Sequence, residues 1–130
     1  MDKGFKQVMI AITELAETTA EQAMEYSHNQ KDDTAEANGQ KMRDDFAALH
    51  DKMSAEDFDG VLTHSEYMQL TVAAYIATNQ IKNRIATLRS AVKGYEDTII
   101  PKLSRIVDEC RTDEEAQKLA EEILIIEANE

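Results

Sequence analysis

Apolar side chains recur every three or four residues along almost the whole chain, and this spacing constrains the fold more than any other feature. Such a period places apolar groups on one side of an α-helix, and no convincing alternation of apolar and polar residues indicates a strand. One proline and four glycines in 130 residues leave few positions where the backbone must turn. The sequence therefore predicts an all-α protein made of long helices.

The first half of the chain predicts two helices. A helix over about residues 4–27 follows from the stripe Phe5, Val8, Ile12, Leu15 and Thr19. A second helix is predicted from near Thr34, with the stripe Met42, Phe46, Leu49 and Met53. Gly39 lies in its first half, where glycine weakens a helix by about 1 kcal/mol relative to alanine. Residues 54–62, which include Gly60, form a predicted break.

A capping box marks the predicted start of the third helix at Thr63-His64-Ser65-Glu66. In this motif the Thr63 side chain accepts from the amide of Glu66, whose carboxylate reaches back. The apolar register then continues to Val92, and residues 67–81 carry no charge. A helix that is apolar or neutral on nearly all sides is typical of a buried central element. The uncharged stretch is too short and too polar to span a bilayer.

Residues 93–101 allow two interpretations. Gly94 can end the third helix, and Pro101 can then occupy the first turn of a helix that begins near Asp97 or Thr98. Because the apolar register runs on through this segment, a single long helix kinked at Pro101 is the alternative. We favour the break, since glycine and proline occur close together here. A second capping-box spacing, Thr112 to Glu115, predicts the last helix.

Together these elements predict a single domain over residues 1–130. Its architecture is an antiparallel bundle of four main helices, with five as the alternative, around a long central helix. The length is sufficient to bury roughly two-thirds of the unfolded surface in one core.

The chain is strongly acidic, with 26 Asp and Glu against 14 Lys and Arg and a formal net charge of −12. This balance argues against direct nucleic-acid binding, which requires a basic face. The charge is uneven, because residues 63–111 hold five acidic and seven basic residues, whereas residues 112–130 hold seven and one. The acidic flanks are expected to form a negative surface that attracts a basic protein partner or occupies a nucleic-acid-binding groove by mimicry. Solubility is the alternative explanation of this surface charge, and taken alone the charge favours it.

Four basic residues lie along the predicted central helix: Lys82, Arg84, Arg89 and Lys93. In one interpretation they form a patch that binds a small anionic ligand or an acidic partner. In the other, which we favour, they pair with glutamates on surrounding helices, and each exposed pair contributes about 0–1 kcal/mol.

The break between the second and third helices carries the best candidate metal site. In the segment 55–66, Asp57 and Asp59 occupy positions three and five, Gly60 occupies position six and Glu66 occupies position twelve. These residues resemble the EF-hand calcium loop, and the resemblance implies a calcium ion bound by Asp57, Asp59 and Glu66. The segment departs from the motif at position one, where Ala55 replaces a ligating Asp, and no second loop is present to pair with it. Helix capping explains the same residues.

The sequence offers little material for an enzyme. It has no Gly-x-Ser-x-Gly elbow and no glycine-rich phosphate loop. Its one cysteine, Cys110, lies on an apolar stripe and is expected to be a small buried hydrophobe. Glu25 and His28 have the Glu-x-x-His spacing of di-iron bundles, but the motif occurs once where such a site needs two. We therefore expect no catalytic residues and no cofactor, calcium apart.

The function expected from these features is that of a non-enzymatic interaction protein: an adaptor, an inhibitor or a small regulatory subunit. A lone cysteine and a start without an apolar signal sequence predict a cytoplasmic location. The uncharged stretch 67–81 is wide for one small bundle, so a homodimer is predicted to bury the surplus. A protein partner with a basic surface would contact the acidic helices. The alternatives are a calcium-responsive module using residues 55–66 and a binder of a small anionic ligand.

Overall fold

A computed structural model of the chain describes residues 3–84 and 94–124 and confirms the all-α prediction, since five helices pack together and these residues contain no strand. The helices are α1 (Lys3–Asn29), α2 (Asp33–Ser54), α3 (His64–Arg84), α4 (Ile100–Glu109) and α5 (Asp113–Ile123). One π-helical turn, Tyr95–Ile99, leads directly into α4. The predicted bounds of the first helix and the predicted start of the second lie within two residues of those observed.

The helices α1 and α2 form an antiparallel hairpin. The turn between them places Lys31 at a positive φ of 58°, and the side chain of Asp32 then caps α2 by accepting from the amide of Ala35 (3.1 Å). Gly39 lies where the two helices approach closely, because a Cβ at this position would be 3.2 Å from the Cα of Met24. The glycine that weakens α2 by propensity therefore allows α2 to pack against the backbone of α1.

The loop between α2 and α3 ends in the predicted capping box. The amide of Glu66 donates to Thr63 Oγ1 (3.1 Å), and the amide of Thr63 donates to Glu66 Oε1 (2.9 Å). Within the loop, Gly60 has a φ of 80°, a left-handed conformation that glycine adopts without steric cost. The break predicted between the second and third helices is confirmed.

The helix α3 contacts each of the other four helices, which confirms its predicted central position. Its inner side is fully buried and consists of Tyr67, Leu70, Ala73, Ala74 and Ala77. The absence of charge over residues 67–81 indicated burial on nearly every side, and this expectation is wrong for the outer side. Side chains there remain exposed because the other described helices pack only against the inner side and flanks of α3.

The chain does not run from α3 into α4 as one helix kinked at Pro101. His64 Nε2, in the first residue of α3, donates to the carbonyl oxygen of Val107 near the end of α4 (2.9 Å). In one straight helix these residues would be about 65 Å apart, and a kink at Pro101 would recover little of that distance. The single kinked helix is therefore wrong, and α3 and α4 are separate helices. The break was predicted at Gly94, where the structure already has helical geometry, so the predicted start near Asp97 or Thr98 is too late. Residues 85–93 lie outside the described ranges.

One hydrophobic core joins the five helices, and it includes Cys110, as predicted. Burial raises the pKa of the Cys110 thiol, which favours its protonated form. The helix α5 closes the core with Ala116 and Ala120. Its cap follows only half of the predicted box: Thr112 Oγ1 accepts from the amide of Glu115 (3.1 Å), while Glu115 accepts from the amide of Arg111 (3.3 Å).

Candidate interaction surface

The outer side of α3 carries three large apolar side chains that are open to solvent. Met68, Val72 and Tyr75 are 49%, 47% and 53% exposed. Their spacing of four and three residues places them in a row along one side of the helix. Single exposed apolar side chains are ordinary on a protein surface, whereas a contiguous row is a candidate interaction surface. We refer to Met68, Val72 and Tyr75 as the α3 face.

A groove of about 340 Å³ lies beside the α3 face, between α2 and α3. Met42 and Phe46 of α2 line it together with Met68 and Val72 of α3, and the polar lining residues are Asp45, Ser65 and Gln69. The groove exists because α2 packs mainly against α1 and touches α3 at few points. Two methionines in the lining make the surface adaptable to the shape of a bound side chain.

A second hollow, of about 320 Å³, adjoins the other end of the α3 face. It is bordered by Tyr75 and Asn79 of α3, by Glu96 of the π-helical turn and by Ile100, the first residue of α4. Tyr75 is the most exposed residue of the face and borders this hollow, while Met68 and Val72 border the groove. The α3 face is therefore flanked by two depressions.

The α3 face is electrically neutral, unlike most of the surface. Residues 67–81 contain no charged side chain. At the start of α3, the one acidic residue of the first turn, Glu66, is neutralised by Lys52 (2.7 Å). Among the described residues that line the groove, Asp45 alone is charged. An interface core is normally depleted in charge, and the α3 face has that character.

The helix α5 has the opposite character. Its exposed carboxylates belong to Asp113, Glu114, Glu115, Glu121 and Glu122, with Lys118 as the one basic residue. Within the described ranges, none of these carboxylates forms an ion pair. We refer to this group as the acidic surface of α5. Its negative charge is available to a partner because no described cation neutralises it.

The three carboxylates of the EF-hand-like loop are not brought together. Glu66 Oε1 accepts from the amide of Thr63 (2.9 Å) and from Lys52 Nζ (2.7 Å). Asp59 accepts from the amide of Val61 (2.9 Å), and Asp57 is exposed. Among the described residues, no group of three His, Cys, Asp or Glu side chains is placed to hold a metal ion. In this structure Asp59 and Glu66 serve the turn and the helix cap, and calcium binding stays a prediction.

The predicted basic patch falls largely outside the described part of the chain. Lys82 and Arg84 belong to the last turn of α3, while Arg89 and Lys93 lie beyond the described residues. Both interpretations of these four residues, a patch for an anionic ligand and a set of ion pairs, stay predictions.

The other sequence motif, Glu25-x-x-His28, lies near the end of α1. Nδ1 of His28 donates to Glu36 of α2 (3.0 Å), which ties the two helices together near their turn. Glu21 and Glu25 line the same shallow hollow. This histidine therefore serves the α1–α2 hairpin.

Sequence reasoning missed Gln117 of α5, which holds the α2–α3 loop in place. Its Oε1 accepts from the amide of Leu62 (3.2 Å) and the hydroxyl of Tyr67 (3.3 Å), and its Nε2 donates to the carbonyl of Gly60 (3.2 Å). Burial raises the pKa of Tyr67, so its hydroxyl remains a donor. These bonds join residues at least 50 positions apart. No local sequence pattern signals them.

A second link missed by sequence reasoning is His50, which joins α2 to α1. Its Nε2 lies 3.0 Å from Glu14 Oε1, and its Nδ1 lies 3.4 Å from Asp51 Oδ1. Burial lowers the pKa of His50, but the hydrogen bonds to Asp51 and Glu14 and the attraction of their charges outweigh it. The pKa is therefore raised above the ordinary 6.5.

The chain matches no protein-family model, no curated protein and no solved structure. None of the helices within residues 3–84 and 94–124 combines the length and the apolar character needed to cross a membrane. Evidence about function therefore comes from the surface of the protein itself, and chiefly from the α3 face and the acidic surface of α5.

Proposed function

We propose that this protein is a non-enzymatic, acidic helical interaction protein that pairs with a second copy through the α3 face and presents its acidic helices to a basic partner. Such a protein acts as an adaptor, an inhibitor or a small regulatory subunit. The observation that carries the proposal is the row of three exposed apolar side chains, Met68, Val72 and Tyr75, on a chain of net charge −12.

Burial of the α3 face would be favourable. Full burial of a large apolar side chain contributes about 1.5–3 kcal/mol, so covering three that are about half-exposed contributes roughly 3 kcal/mol in total. Methionine and tyrosine are also enriched in the cores of protein interfaces, where charged residues are depleted. These properties support a protein as the occupant of the face.

Charge supports a second copy as that occupant. Two chains of net charge −12 repel each other wherever their acidic surfaces approach. The α3 face is a charge-free exception, so two copies can meet there without placing like charges in contact. A symmetric dimer also covers the same patch on both copies, which leaves neither α3 face open to solvent.

The acidic surface of α5 supports a basic partner for the pair. The inner side of α5 is already used, because Ala116 and Ala120 are buried and Gln117 bonds to the α2–α3 loop. Its carboxylates are therefore left to the solvent side. Unneutralised charge of one sign accelerates association with a surface of the opposite sign and disfavours other partners.

Affinity capture from the native host tests the function. Wild-type protein should retain a protein with a basic surface, and roughly 300 mM salt should release it because salt screens exposed charges. The variant E114Q/E122Q should lose most of this capture. The matched control is E17Q/E25Q, which changes the net charge equally but on α1.

Two results would contradict the proposed function. One is capture of a target that lacks a basic surface, in a complex that high salt does not dissociate. The other is an equal loss with both variant pairs, because total charge rather than the acidic surface of α5 would then govern binding.

A further inference from the structure

We propose that two copies of this protein pair through antiparallel α3 helices, with Met68 of each copy packed against Tyr75 of the other and the two Val72 side chains next to the symmetry axis. This arrangement rests on the self-association included in the proposed function and specifies its geometry. It assigns the α3 face to one occupant, a second copy of the same chain.

The spacing of the α3 face is symmetric for such a pairing. Residues that face each other across an antiparallel helix pair lie equally far from the two-fold axis, on opposite sides of it. Met68 and Tyr75 lie equally far from a point between Thr71 and Val72. An axis at this point brings Met68 of one copy opposite Tyr75 of the other, twice. The two symmetry-related Val72 residues are then offset by only about 1.5 Å along the helix axes.

The pairs created by this axis are chemically favourable. A methionine thioether packs well against an aromatic ring, and here each copy contributes one methionine and one tyrosine. Ser65 and Asn79, both exposed on the same side of α3, lie outside this apolar centre and would form a polar rim. The stretch 67–81 contains no charged residue, so this contact places no like charges of the stretch directly against each other.

The available area fits a reversible dimer. The uncharged stretch 67–81 has 15 residues and is about 22 Å long. With the neighbouring groove wall of α2, the strip is about 20 Å wide, since packed helices lie about 8–10 Å apart. The contact would therefore bury about 450 Å² per copy, or about 900 Å² in total, which is the size of a weak and reversible interface.

Cysteine cross-linking tests the position of the axis. V72C should form a disulfide-linked dimer under mild oxidation, because two residues beside a helix-pair axis have Cα atoms close enough for a disulfide. The matched control is V61C, which replaces another half-exposed valine away from the face. Wild-type protein, whose one cysteine is buried, is the second control. Cross-linking of V61C as fast as V72C, or of M68C faster than V72C, would overturn the antiparallel arrangement.

A charge-swap experiment tests which residues face each other. Sedimentation velocity should show that M68E and Y75K each raise the dimer dissociation constant at least tenfold above that of the wild type. The double variant M68E/Y75K should recover most of that loss, since each introduced carboxylate would face an introduced ammonium group of the other copy. M68K/Y75K, with the same positions altered, should not recover. Circular dichroism checks that every variant keeps its helices.

The outcomes separate this inference from the proposed function. Dimerisation of the wild type without cross-linking of V72C and without recovery by M68E/Y75K would overturn the antiparallel α3 pairing alone. A wild-type protein that stays monomeric at roughly millimolar concentration would overturn both the pairing and the self-association. Capture of a basic partner is measured independently, so its failure would leave the dimer geometry intact.

Discussion

Glu66 shows how one carboxylate in a sequence supports two interpretations. Its position fits the last ligand of a calcium loop and also the fourth residue of a capping box. In the structure it accepts from the amide of Thr63 and from Lys52, so binding an ion would require both partners to be released. At this residue the structure follows the capping interpretation, because the cap needs only Thr63 and Glu66, which lie three positions apart.

The cap makes a stability prediction. Thr63→Ala should lower the free energy of unfolding by about 1 kcal/mol, since the amide of Glu66 loses its acceptor at the start of a central helix. Urea unfolding followed by circular dichroism measures the change. Thr19→Ala is a suitable control, because Thr19 bonds only to a carbonyl within α1. An equal loss in both variants would show that the cap has no particular role.

His50 makes a pH prediction. Its pKa is raised in the folded state, so the protonated form contributes stability that is fully present below pH 6.5 and is lost as the pH rises through the higher folded pKa. Wild-type protein should therefore lose about 0.5–1 kcal/mol more than His50→Gln between pH 6 and pH 8.5. Chemical unfolding at both pH values checks this difference, and Glu14→Gln should reduce it too. A larger loss in His50→Gln would contradict the assignment.

At the scale of helices, local sequence signals predict where a helix lies along the chain better than they predict which helices pack around it. Caps and apolar spacing located α1, α2 and the start of α3, because those signals involve residues a few positions apart. The same spacing could not show that α2 packs on α1 and leaves a groove beside Met68. It could not reveal the role of Gln117 either, since the residues of the loop and α3 that Gln117 contacts lie 50, 55 and 57 positions away along the chain. The α3 face was therefore predicted as buried surface.

Two glycines in helical segments should respond oppositely to substitution. A side chain at Gly39 meets the backbone of Met24, whereas a Cβ at Gly94 meets nothing within 4 Å. Gly39→Val should therefore destabilise the protein by about 1–3 kcal/mol through overpacking. Gly94→Ala should stabilise it by up to about 1 kcal/mol through helix propensity. Thermal unfolding of both variants tests the pair, and stabilisation by Gly39→Val would contradict the close approach of α1 and α2.

At the scale of the whole molecule, the two proposed contacts differ in their dependence on salt. Pairing through an uncharged face brings two acidic chains together, so screening their repulsion should strengthen it. We expect the dimer dissociation constant to fall about tenfold between roughly 20 mM and 300 mM NaCl. Binding of a basic partner should weaken over the same range. Sedimentation at several salt concentrations measures the first effect, and a dimer that dissociates as salt increases would contradict the neutral interface.

The bonds between α5 and the α2–α3 loop have a consequence for hydrogen exchange. The amide of Leu62 donates to Gln117 rather than to a backbone carbonyl, and this bond is partly buried, so exchange of the amide should require α5 to move away. The neighbouring amide of Val61 donates to Asp59 within the loop and should exchange independently. Leu62 should thus exchange at the rate of the α5 amides. One proton near the middle of the chain would report the opening of α5.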